Sequence, residues 1–334
     1  MKILITAPYS VQAREMLKPY AEIEYRDWKD KGTVSQPDEV IQLLKETGAD
    51  ALITEHDRVD DSVLKAVDLK FVGVCRGTPS NVDLEAANRH GVPIFHTPAR
   101  NAQAVAELVI GKLIVMLRNV QAANAWLKSG QWTEGAYDSY LQFRGNELAG
   151  KTVGMVGFGA VAQTTARLLK VFPCPIQYYD PYLSESPDSH FVAMNSIEEL
   201  MATSDIVSIH LPANKHTEGM ITLDMLARMK KDALFVNSSR ASVVDQNALY
   251  TVLKERKIAG AILDVFYSEP PGELDNEMIR MPHVLATPHI AGATHEVDNH
   301  HTDIMNRALI QWFNDPAARV KELVNPQFVQ QKQS

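Results

Sequence analysis

The segment Gly157-Phe158-Gly159-Ala160-Val161-Ala162 has the G-x-G-x-x-G/A spacing with which a backbone cradles a dinucleotide pyrophosphate. Gly157 allows a tight turn, Gly159 lets a phosphate approach the main chain, and Ala162 is small enough for helix and strand to pack closely. An apolar run, Ile176 to Tyr179, ends in Asp180, roughly twenty residues on, where a carboxylate can accept hydrogen bonds from a ribose diol. That carboxylate would repel a 2′-phosphate, so NAD is expected rather than NADP. The competing explanation is a glycine turn in any strand–helix unit, with Asp180 an ordinary strand-end residue before Pro181.

A second set of residues has the chemistry of an acid–base site. His210 ends the segment DIVSIH, Arg240 follows ALFVNSS, Asp264 ends AGAILD, Glu269 lies in the loop after it, and His289 follows VLAT. In open parallel sheets ligands bind beyond the carboxyl ends of the strands, and all five residues fall there, on the side of the Gly157 turn. A histidine with a carboxylate can move a proton, and an arginine presents a planar fork to a carboxylate. Taken singly, each has a plain structural explanation: a solvated arginine, a loop histidine, a glutamate before Pro270-Pro271. His283 precedes its strand and lies at the other end. His295, His300 and His301 lack a carboxylate in a ligand pattern, and no metal site is expected.

The elements that must position these groups follow a strand–helix rhythm. Val153 to Val156 reads as a strand before the glycine turn, with Val161, Thr165, Leu168 and Leu169 on one side of the helix after it. Further strands are expected at Ile206 to Ile209, Leu234 to Val236, Ile258 to Leu263 and Val284 to Ala286, and Asp245 is placed to cap a helix from Asn247 to Glu255. Upstream, strands at Ile3 to Thr6, Ala21 to Tyr25, Ala51 to Thr54, Phe71 to Val74 and Ile94-Phe95 alternate with helices at Val11 to Leu17, from Pro37 to before Gly48, and up to Gly91. Asn101 is placed to cap a long helix, Gln103 to Arg118, apolar nearly all round and therefore buried. An arm of little periodicity, Trp126 to Leu148, carries Trp126, Trp132, Tyr137, Tyr140 and Phe143, as an oligomer contact does. The last helix starts near Thr294 and stops before Pro316, and the polar tail after Pro326 is expected to be mobile.

The fold class is therefore α/β, with two doubly wound parallel-sheet domains. The chain crosses between them near residues 101 and 295, so residues 1–101 and 295–334 form one domain and 102–294 the dinucleotide-binding one. A length of 334 residues supports two cores. The formal charge of −8 argues against nucleic acid or anionic membranes as partners. Cys75 and Cys174 make no disulfide framework, no apolar run spans a membrane and no signal segment opens the chain, so the cytoplasm is the expected location.

RNAQAVAELVIG, ELAGKTVGMVGFGAVA, HLP with Thr217 beyond it, NSSRASVVDQNAL, LDVFYSEP and ATPHIAGAT occur in that order. With this ordered set the chain resembles the D-isomer-specific 2-hydroxyacid dehydrogenases over most of its length. The resemblance implies a central Rossmann NAD domain and a flavodoxin-like substrate domain built from both chain ends. It also implies a homodimer gripped through the long helix and the arm, and a small anionic 2-hydroxy or 2-keto acid as substrate. Arg240 matches the arginine that binds the substrate carboxylate and reacting oxygen, His289 the general acid/base, and Glu269 the carboxylate that orients and charges it. Arg76, Gly77 and Asn101 match segments bordering the substrate. Asp264 matches the acid near the nicotinamide carboxamide. Gly157, Gly159, Ala160, Val161 and Asp180 match the rest of the cofactor cradle, as do His210, Leu211, Pro212, Thr217, Ser238, Ser239 and Gly292. Ala241 and Ala99 stand where glycine is usual, which puts the choice of substrate in question. No regulatory domain is expected after residue 334, unlike in the longer phosphoglycerate dehydrogenases. An NAD(H)-sensing binding protein or corepressor without turnover is the alternative, and formate or phosphonate oxidation a third.

Overall fold

A computed structural model describes residues 1–133 and 135–326. Strand segments rich in β-branched residues pair in parallel throughout, as strands do when helices cover both faces of a sheet. The chain divides into two compact units, Met1–Arg100 with the chain from Thr294 onward, and Asn101–Ala293.

The first unit holds a five-stranded sheet of order β2-β1-β3-β4-β5. Its strands are β1 (Lys2–Ile5), β2 (Glu22–Tyr25), β3 (Ala51–Thr54), β4 (Val72–Val74) and β5 (Ile94–His96). Alternate residues face opposite layers. Ile3, Ile5, Ala51 and Ile53 pack with the last helix, His295–Asn314, while Leu4, Leu52 and Val72 pack with Val40, Leu44 and Val63. The helix Pro37–Thr47 begins with its proline and ends at Gly48 in the left-handed conformation, φ 66°. The segment near Glu322–Val324 adds to the free edge of β5: His96 N–H donates to the Glu322 carbonyl at 2.9 Å, and Val324 N–H to Ile94 at 2.8 Å. The tail expected to be mobile lies, from residue 327, outside the described residues.

The second unit holds a seven-stranded sheet of order β12-β11-β10-β9-β6-β7-β8. Its strands are β6 (Val153–Val156), β7 (Ile176–Tyr179), β8 (Phe191–Ala193), β9 (Ile206–Ile209), β10 (Leu234–Asn237), β11 (Gly260–Leu263) and β12 (Val284–Ala286). Val207, Phe235, Ala261 and Leu263 face one layer, and Val153, Met155, Val236 and Ile262 the other. The Asp245 side chain caps the helix Gln246–Lys254 by accepting from Ala248 N–H at 2.8 Å.

Some expectations shift. The strand expected from Ile258 starts at Gly260, and Ile258 is buried in the turn before it. The face of Ala160–Leu169 that packs inward is Ala162, Thr165, Ala166 and Leu169, one position round from the bulkier Val161 and Leu168, because small residues suit close approach to the sheet. Asn101 occupies the N-cap of Ala102–Leu117 but makes no capping bond with its side chain. That helix is buried through Ala102, Val105, Val109, Ile110 and Leu113, and Lys112 is buried with them, while Leu108 and Ile114 are half-exposed. The helix Val120–Lys128 runs into the aromatic arm, and a second, Ala136–Gln142, lies within it. Trp126 packs against Trp132 and Phe143, and Tyr137 and Tyr140 stand 83% and 70% exposed. Among the described residues, no helix is long and apolar enough to cross a membrane.

The first unit carries a buried polar chain. His301 Nε2 donates to the Pro8 carbonyl at 2.7 Å, so Nδ1 accepts from Arg100 at 3.1 Å. Arg100 also donates to Glu55 at 2.7 Å, and Trp28 Nε1 donates to the other Glu55 oxygen at 3.1 Å. Burial, with the charge of Arg100, holds His301 below the ordinary histidine value of 6.5. Because the unfolded chain then takes up the proton first, this stability is complete above pH 6.5 and is lost as the pH falls. Thermal melts from pH 7.5 to 5.5 should show Tm falling by ~2–4 °C. In His301→Gln, which keeps a donor and an acceptor, the slope should flatten. An equal slope in both proteins would place the acid sensitivity elsewhere.

Candidate functional site

The glycine turn is held from below. Gly157 leaves β6 with φ 84°, and its N–H donates to the Tyr179 carbonyl at 2.8 Å. A Cβ at Gly157 would lie 2.9 Å from the His210 carbonyl oxygen, so no side chain fits there. Phe158 points into the core and stacks on Tyr178 with ring centroids 4.1 Å apart. A Cβ at Gly159 would meet no atom within 4 Å, and no side chain caps the helix Ala160–Leu169. The first-turn N–H groups of Ala160 and Val161 are therefore left to a ligand or water, in the arrangement that suits a phosphate.

Asp180 follows β7 and ties this turn to its own strand. Its Oδ2 accepts from Phe158 N–H at 2.8 Å and its Oδ1 from Tyr182 N–H at 3.0 Å. Each carboxylate oxygen has a second lone pair, so the acceptor capacity expected of Asp180 is shared with the turn rather than exhausted by it.

The next strand ends present the other predicted residues. His210 follows β9, with its N–H on the Val156 carbonyl at 2.8 Å and its Nε2 2.9 Å from Ser208 Oγ. Burial lowers it to about 4, so the ring is neutral at pH 7. Leu211 packs on the apolar layer beside β9, Pro212 is exposed, and Thr217 Oγ donates back to the Pro212 carbonyl at 2.6 Å. After β10, Asn237 clamps the turn. Its Oδ1 accepts from Ser239 N–H and Oγ, both at 3.0 Å, and its Nδ2 donates to the Arg240 carbonyl at 3.0 Å. Ser238 Oγ is buried without a hydrogen-bond partner. Arg240 is exposed, with its guanidinium folded back so that Nη1 donates to the Ser239 carbonyl at 2.6 Å. Ala241 is buried and lines a small hollow with Phe266 and Tyr267.

Beyond β11 and β12 lies the histidine loop. His289 Nδ1 is 2.7 Å from Glu269 Oε1, with the two side chains 46% and 49% exposed. His289 has φ 52°, a region that costs a non-glycine residue about 1–3 kcal/mol and that is retained where the surroundings hold it. Asp264, 1% exposed, is that hold. Its Oδ1 accepts from Ile290 N–H at 3.2 Å and from the Thr287 hydroxyl, and its Oδ2 accepts from Ala291 N–H at 2.8 Å. Lys112 donates to Thr287 Oγ and lies 3.6 Å from Asp264. The Asn101 side chain lies where a Cβ on Gly292 would be, 2.6 Å from Nδ2, so Gly292 leaves room for it.

In the first unit, Arg76 follows β4 and Nη1 lies 3.4 Å from His56 Nδ1, while Gly77 is exposed and its carbonyl accepts from His96 Nδ1 at 2.8 Å. Ala99 adopts φ 62°, where alanine bears strain that glycine would not.

The sequence reading missed Lys112, Thr287 and Asn237 in the second unit, and Trp28, Glu55, His56 and Arg100 in the first. A lysine inside the run from Ile110 to Leu117 is the signal that could have exposed Lys112. The open space at Gly159, the uncapped helix and the unpartnered Ser238 hydroxyl fit a phosphate-bearing dinucleotide along β6, β9 and β10. No group of three metal-binding side chains occurs among the described residues.

The model of the D-isomer specific 2-hydroxyacid dehydrogenase NAD binding domain matches residues 110–291. The Bacillus subtilis (strain 168) protein YoaD, provisionally named a 2-hydroxyacid dehydrogenase, is 51% identical over 97% of this chain and 94% of its own. The glyoxylate reductase of Thermococcus litoralis is 35% identical over 92% of each chain. The NAD+-bound 3-phosphoglycerate dehydrogenase of Entamoeba histolytica superposes with a TM-score of 0.74 at 25% identity, over 97% of this chain and 98% of its own.

The two glycines separate folding from binding. Gly157→Ala should lower stability by roughly 1–3 kcal/mol and abolish dinucleotide binding. Gly159→Ala should leave Tm within about 1 °C, because its methyl meets no atom, yet weaken NADH binding at least ~10-fold. Melting curves and fluorescence titration with NADH measure both. Unchanged affinity in Gly159→Ala would remove the turn from the binding site.

Proposed function

The chain belongs to the D-isomer-specific 2-hydroxyacid dehydrogenases and is an NAD-dependent enzyme of that family, and from this we propose that it interconverts a small D-2-hydroxy acid and its 2-keto acid. The observation that carries the residue assignment is the 2.7 Å pair of His289 Nδ1 and Glu269 Oε1, on a histidine held at φ 52°. With one nitrogen on a carboxylate, the other is aimed by the ring orientation and can give or take the proton of the reacting oxygen.

Arg240 in this reading anchors the substrate carboxylate bidentately and polarises the carbonyl, from the exposed position after β10. Bound NAD(H) supplies the hydride acceptor or donor. His289 donates its proton to the carbonyl oxygen in reduction and withdraws it in oxidation, and Glu269 stabilises the positive charge the ring carries before donation. The unit Asn101–Ala293 holds the dinucleotide: Gly157, Gly159, Ala160 and Val161 at the pyrophosphate, Asp180 at the adenosine ribose, and His210, Leu211, Pro212, Thr217, Ser238, Ser239, Asp264 and Gly292 along the rest. Arg76, Gly77 and Asn101 border the substrate in this reading. The exposed aromatic arm and the helix Ala102–Leu117 form the contact of a homodimer. The glyoxylate reductase among the relatives makes glyoxylate the first substrate to test, followed by hydroxypyruvate and pyruvate. An NAD(H)-sensing protein without turnover would bind NADH and leave its absorbance unchanged on every keto acid.

Two measurements test the assignment. Arg240→Lys keeps the charge and loses the fork, so kcat/KM for keto-acid reduction should fall by about 10²-fold. His289→Gln should lose ~10²–10⁴-fold in both directions. NADH affinity in both should stay near wild type, and an equal loss of turnover and NADH binding would make either residue a structural or cofactor contact. Cofactor choice has its own test. The native protein should prefer NADH over NADPH in steady-state kinetics, and Asp180→Ala should narrow that preference by ~10-fold or more. A native preference for NADPH contradicts the role given to Asp180.

A further inference from the structure

Lys112 sits in a helix whose other inward-facing residues are apolar, Val105, Val109, Ile110 and Leu113 among them. Its side chain is 7% exposed, and that of its partner Asp264 1%. The ammonium donates to Thr287 Oγ, whose hydroxyl donates to Asp264 Oδ1, and it lies 3.6 Å from that oxygen directly. Burial works against the charge on Lys112 and Asp264 works for it. Replacing a buried ion pair by well-packed apolar residues is often neutral or stabilising, so fold stability alone does not account for a lysine here.

Position supplies the account. In a doubly wound sheet built of two mononucleotide halves, the two ends of a dinucleotide lie over carboxyl ends on either side of the switch in strand order. Here the switch falls between β6 and β9. Asp180, after β7, belongs to one half. Asp264 is the first residue after β11, in the other half, and its oxygens hold the backbone on the C-terminal side of His289. The half that serves the reacting ring is therefore the half that contains Asp264. A nicotinamide ring carries a positive charge when oxidised and none when reduced. A lone buried carboxylate beside it would favour the oxidised form, whereas a carboxylate already paired with an ammonium is nearly neutral to it.

We propose that Lys112 is a positioning residue that cancels the charge of Asp264 beneath the nicotinamide, so that the site holds NADH tightly relative to NAD+ and is poised for keto-acid reduction. The inference rests on the dinucleotide reading of this unit. A wild-type protein that binds neither NADH nor NAD+ overturns that reading, and the inference with it. Calorimetric titration of both nucleotides into four proteins, wild type, Lys112→Met, Asp264→Asn and the double variant, tests it at pH 7.5. The Kd ratio of NAD+ to NADH should fall ~5-fold in Lys112→Met and rise in Asp264→Asn, as expected for one unit charge acting across a partly screened site. The double variant should return close to wild type. Where Lys112→Met does not fold, Lys112→Arg, which keeps the charge, should retain the wild-type ratio while Asp264→Asn raises it. A purely structural lysine would weaken both nucleotides together, and a ratio unchanged across the variants overturns the proposal.

Discussion

Every central strand of the seven-stranded sheet is buried between two apolar layers, and this leaves polar chemistry only the strand ends. Because all pairs are parallel, one edge of the sheet collects every carboxyl end. The Gly157 turn, His210, Arg240, Asp264, Glu269 and His289 are brought to one side by that constraint rather than by attraction among themselves. The close approach of Gly157 to the His210 carbonyl shows how tightly the edge is drawn: the turn after β6 packs against the residue that ends its neighbour β9.

The residues proposed to move the proton are exposed, and their supports are buried. His289 and Glu269 are each nearly half-exposed, while Asp264 is sealed and accepts hydrogen bonds at both oxygens. Such a division suits catalysis. A histidine in left-handed backbone needs its neighbours fixed, and two N–H bonds and a hydroxyl bond to one carboxylate do this at a cost that only a compensated charge makes acceptable. Asn237 does the same for the turn that carries Arg240. The buried chain His301–Arg100–Glu55–Trp28 plays a comparable part in the first unit, tying residues after β3 and β5 to the last helix.

Much of this was legible in the amino-acid sequence, for reasons that are local. Period-two and apolar runs marked the strands, proline and glycine marked the ends of Pro37–Thr47, and glycine spacing after a strand marked the dinucleotide turn, because each is a property of a few adjacent residues. The rule that ligands lie past carboxyl ends then selected His289 over His283 without coordinates. The helices of the arm were missed because they are short: Val120–Lys128 begins before the aromatic stretch, and Ala136–Gln142 is only two turns long with its tyrosines exposed.

The tertiary structure alone decided the supports. Lys112 and Asp264 are far apart in sequence and meet only when the helix Ala102–Leu117 packs near β11 and β12. Asn101 was expected to cap that helix and instead fills the space left by Gly292. Part of Asp180's acceptor capacity went to Phe158 and Tyr182, and His301 became neutral and buried through partners from the opposite end of the chain. The sequence by itself determined which side chains could do chemistry and which end of each strand they occupy. Long-range packing determined which of them are desolvated, paired or strained, because burial and electrostatic compensation are properties of a surrounding that no short stretch of chain contains.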